Sequence, residues 1–140
     1  LAQGAEKSPS WLSTYLKGAA QMAIPSRVLG AGNSPLSALS ICGDGATALV
    51  ATGSSATDAL QLSAVFNAIT TSSASTGVKL PPTEVGAMVG IWNASGQTIT
   101  VYPPTGSTIN AAASSVTMAN NKAALFFATS ATTWASVTTA

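Results

Sequence analysis

Four carboxylates, one thiol and no histidine bound the chemistry open to this sequence. Glu6, Asp44, Asp58 and Glu84 lie far apart along the chain. A glycosidase-type centre needs two such groups facing one bond. Asp44 stands between Gly43 and Gly45, and Asp58 follows the turn at Gly53-Ser54-Ser55, so both read as turn residues. Without histidine there is no Ser-His-Asp or Cys-His arrangement and none of the usual zinc sets. Cys42 is the only cysteine, which excludes an intrachain disulfide. A reactive thiol needs an electropositive setting, and only Asp44 is near in sequence, so Cys42 reads as a small buried hydrophobe. The stretch GDGATA lacks the spacing and the lysine of a phosphate loop. Five basic residues, spread over the chain, leave no nucleic-acid footprint. The expectation is a protein that is not an enzyme, with no catalytic residues, cofactor or metal, and with neither nucleic acid nor membrane as partner.

Two further signals remain. Asn93-Ala94-Ser95 has the form of a glycosylation sequon, but it falls on a turn, and the N-terminal LAQGAEKSPSW has no basic region followed by an apolar run, so no signal peptide is expected. Trp92, Tyr102, Phe126, Phe127 and Trp134 could form a sugar-binding platform. Core and subunit packing account for them more simply, with Trp92 and Tyr102 as interface candidates.

The elements that would position these residues follow from composition and pattern. The chain has 140 residues, enough for one domain with a core, and only 6% of them are charged. An ordinary soluble domain carries about a quarter. The sequence is too apolar and too weakly charged to read as disordered. Ser, Thr, Asn, Gly and Pro interrupt every apolar run, so none reads as a membrane span. A net charge of +1 gives weak colloidal protection, which predicts a surface covered by an oligomer or a larger assembly.

From Gly77 to Asn110 the apolar residues alternate. Val78 and Leu80, Val89 and Ile91, and Ile99 and Val101 mark short strands, separated by Pro81-Pro82, Asn93–Gly96 and Pro103–Gly106. The spacing predicts a small antiparallel β-unit. The run from Asp58 to Thr71 reads as a further strand, with a helix through Leu62, Val65, Phe66 and Ile69 as the alternative. Val116–Met118, Ala123–Ala128 and Trp134–Val137 add others. About eight short strands predict an all-β fold: a single antiparallel β-sandwich, jelly-roll-like, over residues 43–140. Residues 1–42 read as an N-terminal arm with one short helix at about 9–18. Ser8-Pro9 is a helix start, and Trp11, Leu12, Tyr15 and Leu16 then share one face that must dock on a surface. Ala19 to Cys42 reads as an irregular arm or linker with one or two short strands.

The order of motifs carries a resemblance. Asn67-Ala68-Ile69-Thr70-Thr71-Ser72 leads into Gly77-Val78-Lys79-Leu80-Pro81. Ile91, Asn93, Gly96 and Val101-Tyr102-Pro103 follow, then Gly106 with Ile109-Asn110, then a closing aromatic strand to Trp134. Over about residues 58–138 this string resembles a β-domain common in tailed-phage virion proteins. The resemblance implies a structural component of the virion exterior, often a trimer: a capsid decoration (cement) protein, a head fibre or a tail appendage. It carries over no catalytic residue. The expected partners are sister copies in a homotrimer and the major capsid protein or another virion protein. The alternative is a head-fibre or tail-fibre module that recognises a host surface glycan.

Overall fold

The computed structural model describes residues 29–140. The helix expected at about 9–18, with Trp11, Leu12, Tyr15 and Leu16, lies outside the described residues. The chain forms two compact units, Leu1–Gly43 and Asp44–Ala140.

In the first unit the described residues contain helix α1, Pro35–Cys42. This corrects the reading of Leu36 to Ile41 as part of an irregular arm. The local reason is the pair Ser34-Pro35, of the same kind as the one expected to start a helix at Ser8-Pro9. The Ser37 amide donates to Ser34 Oγ at 3.2 Å, and proline occupies the first helical position, where its missing N–H costs nothing. Gly43, at φ 73°, closes the helix in the left-handed conformation that a C-terminal glycine supplies.

The second unit is all β. It holds β1 (Gly45–Val50), β2 (Leu60–Gln61), β3 (Phe66–Thr71), β4 (Gly77–Lys79) and β5 (Met88–Asn93). They are followed by β6 (Ile99–Tyr102), β7 (Thr108–Ile109), β8 (Val116–Met118), β9 (Lys122–Ser130) and β10 (Thr133–Thr138). From β1 to β9 odd and even strands separate as the chain winds, and β10 then joins the odd ones. One sheet has the order β1-β3-β5-β9-β10-β7 and the other β2-β4-β6-β8. Each of the first three coils therefore gives one strand to each sheet. Its strands pair in parallel with those of the next coil, as in Phe66 against Gly90 and Val78 against Val101. The result is a β-solenoid-like stack.

This overturns the antiparallel jelly-roll sandwich. It also overturns the antiparallel unit from Gly77 to Asn110, because β4 and β5 lie in different sheets and β4 pairs in parallel with β6. The physical reason is that alternation reports which side chains face the core and says nothing about which strand supplies the hydrogen bonds. The strand expected through Asp58–Thr71 is also divided. β2 ends at Gln61, and residues 62–65 carry the chain across to the other sheet. Antiparallel pairing enters late, where β8 lies against β6, β9 against β5, and β9 and β10 form a hairpin.

The core lies between the sheets. Ile69, Val89, Ile91, Phe126 and Trp134 from one sheet meet Val78, Ile99, Val101 and Met118 from the other, with Leu62 and Leu80 just beyond the ends of β2 and β4. Val78 and Val101 stack in register, and Leu60 extends the column to the first coil. Leu62 and Leu80 donate their backbone amides to the Lys79 and Tyr102 carbonyls, which carries the ladder one residue further. Gly77 allows the close approach of β4 to β6. A Cβ there would lie 2.5 Å from the Thr100 carbonyl oxygen and 2.7 Å from the Tyr102 ring.

Candidate interaction surface

Of the two acids expected to act in turns, Asp58 does so, whereas Asp44 lies outside any turn and bonds at long range. Asp44 Oδ1 accepts from the Val65 amide at 2.8 Å, and its carbonyl accepts from the Phe66 amide, so it ties the start of β1 to the start of β3. Asp58 clamps its own loop, accepting from the Ser55 hydroxyl at 2.6 Å, the Ser55 amide at 2.8 Å and the Ser54 amide at 3.3 Å. The Ser55 hydroxyl, then the two amides, hold its carboxyl below the ordinary value. Glu84 is exposed on the loop between β4 and β5. Among the described residues no three His, Cys, Asp or Glu side chains gather in a metal-binding group. Cys42 is partly exposed at the end of α1, not buried as expected.

The sequon asparagine is interior. Asn93 has no exposed surface; its Nδ2 donates to the Gln97 and Met118 carbonyls, and its Oδ1 accepts from the amide and hydroxyl of Ser95. Those bonds turn the chain from β5 toward β6, and they leave no accessible amide for modification.

The interface candidates separate. Tyr102 is half-buried beside Gly77, and its hydroxyl donates to the Ser54 carbonyl at 2.7 Å, so it braces two coils. Trp92 is not a packing residue of the core: it points out of the six-stranded sheet and is 52% exposed. Trp11, Leu12, Tyr15 and Leu16 lie outside the described residues. Phe126 and Trp134 are fully buried, and the Trp134 indole N–H donates to Thr83 Oγ1 at 2.9 Å.

Trp92 belongs to a larger feature. The pairing registers place Phe66, Gly90, Leu125 and Val137 in one row across β3, β5, β9 and β10. A second row runs Ala68, Trp92, Ala123, and a third Met88, Phe127, Ala135. All three rows face away from the core. The Phe66 ring lies across Gly90, where a Cβ would meet it at 2.9 Å. Between Phe66 and Trp92 a trough of about 310 Å³ opens over Gly45, Thr47, Ala68 and Ala123. The sequence does contain a sign of this face. Met88-Val89-Gly90-Ile91-Trp92 and Leu125-Phe126-Phe127 are apolar at consecutive positions, where a strand solvated on one face would alternate.

Compared with known protein families, characterised proteins and solved structures, the chain matches none.

Proposed function

We propose that this chain is a virion structural protein, a bacteriophage capsid decoration protein that binds the outer capsid surface as a homotrimer and stabilises the shell. The observation that carries the reading is the motif string from Asn67 to Asn110. It builds the second and third coils and the turns between them, so the resemblance rests on one contiguous piece of architecture. The uncharged apolar face of the six-stranded sheet supports an assembled state, because a surface of this kind is stable when something covers it. The mechanism is mechanical: a stiff stacked body bridges neighbouring capsid subunits, and many weak contacts act together through multivalency.

The half-exposed Trp92 indole beside an apolar trough favours a second reading, a fibre module that stacks a host-surface sugar on that ring. Copy number separates the two. A decoration protein rebinds stripped particles at an occupancy set by the capsid lattice and binds no glycan. A receptor module is present in few copies and binds glycan measurably. Low occupancy together with glycan binding would overturn the first reading in favour of the second.

A further inference from the structure

We infer that the outer face of the six-stranded sheet is where copies of this chain meet, the Phe66–Trp92 half of one copy against the Leu125–Val137 half of the next around a threefold axis. The threefold symmetry rests on the trimer proposed above; the choice of face rests on four observations of its own.

The first is size. Phe66, Met88, Trp92, Leu125, Phe127 and Val137 are between 36% and 62% exposed on this one face. With about 150–250 Å² available from each aromatic side chain, their exposed parts amount to roughly 500 Å² per copy. The small residues between them bring the face toward the ~800 Å² per partner of a standard interface. A patch of this extent is near the upper end of what a monomer leaves in water, where such patches are often functional.

The second is charge. The outward positions of β3, β5, β9 and β10 carry no Asp, Glu, Lys or Arg. The occupant must be equally uncharged, or it would desolvate ions without pairing them. A chain with 6% charged residues, carrying this same face, meets that condition.

The third is shape. The half of the face on β1, β3 and β5 is hollow, with the trough between Phe66 and Trp92. A second hollow of about 300 Å³ lies on the half formed by β9 and β10, beside Leu125 and Val137. Two differently lined halves suit a head-to-tail contact that closes into a ring.

The fourth concerns the edges. β1, at one edge of the large sheet, is interrupted by a register shift where Ala48 takes φ 57°. β7 and β2 are two residues long and β8 is three. Short and bulged edges disfavour growth by strand addition, which leaves the face as the adhesive surface.

The test uses the full chain at micromolar concentration in sedimentation velocity. Trp92→Glu alters the half with the Phe66–Trp92 trough, Val137→Glu the half on β9 and β10, and Val85→Glu is the control, exposed on the loop before β5. The expected result is a trimer for wild type and control, and monomers with unchanged far-UV spectra for both face variants. Mixing the two face variants restores one intact contact between unlike halves and gives a 1:1 pair. If either glutamate variant fails to fold, Trp92→Ser and Val137→Ser replace them. Face variants that stay trimeric overturn this inference and leave the trimer standing. Monomeric variants that do not pair when mixed overturn the head-to-tail arrangement. A monomeric wild type removes both the trimer and this inference, while rebinding to stripped particles still decides the decoration reading separately.

Discussion

The Asn93 side chain donates from Nδ2 to the Met118 carbonyl at 2.9 Å, joining the end of β5 in one sheet to the end of β8 in the other. Both residues are buried, so the bond spans the core where the two sheets close. Replacing Asn93 by Leu would remove the side-chain donor to the buried Met118 carbonyl, a loss of about 1–3 kcal/mol. Asn93→Leu should therefore lower the unfolding midpoint in urea, and the protein should remain unmodified when expressed in a glycosylating host.

Phe126 and Trp134 set the depth of the core. Phe126→Ala should cost about 3–5 kcal/mol. Trp134→Phe removes the indole donor to Thr83 Oγ1 and part of the ring volume, and should cost less than Phe126→Ala. Equilibrium urea unfolding of the two variants side by side checks the order.

Two glycines should behave oppositely. At Gly77 an added Cβ meets the backbone of β6, which cannot move without breaking the ladder, so Gly77→Ala should destabilise by about 1–3 kcal/mol or more. At Gly90 the added Cβ meets the half-exposed Phe66 ring, which can swing away. Gly90→Ala should leave the melting temperature nearly unchanged and alter the outer face alone.

Asp58 gives a pH signature. Its carboxyl is held below the ordinary value of 3.8 by the Ser55 hydroxyl and the Ser55 and Ser54 amides. A depressed folded value stabilises above the unfolded one, and the contribution is lost as pH falls through the folded value. Wild type should therefore lose more stability than Asp58→Asn between neutral pH and pH 3, measured by thermal melts. The group is exposed, so the difference should be small.

Residues 1–42 carry the remaining prediction. Deleting them should leave a folded β-domain that no longer cosediments with particles lacking the wild-type protein. Trp11→Ala with Tyr15→Ala should weaken attachment with little change in the far-UV spectrum. Undiminished occupancy of the truncated protein would move the attachment surface to loops such as Pro103 to Gly106.

The sequence by itself determined the inward positions of the alternating strands and several of the bends. Alternation at Ile99–Val101 and around Val89–Ile91 marks core positions because a strand's side chains change face at every residue. Gly43-Asp44-Gly45 and Asn93–Gly96 mark bends because their backbone and short side chains suit tight turns. The Ser34-Pro35 pair that starts α1 is likewise a local signal, a hydroxyl cap followed by proline at the first helical position. What the tertiary structure decided is pairing. Val78 finds Val101 and Phe66 finds Gly90 across many intervening residues, and no local pattern encodes that choice. Asn93–Gly96 looks like a hairpin turn, yet it carries the chain into the opposite sheet. The Asn93 side chain bonds across to Met118, a contact that exists only once both sheets are in place. The outer face follows from the same decision. Phe66, Trp92, Leu125 and Val137 are scattered in sequence, and only the stacking of successive coils sets them side by side on one uncharged surface.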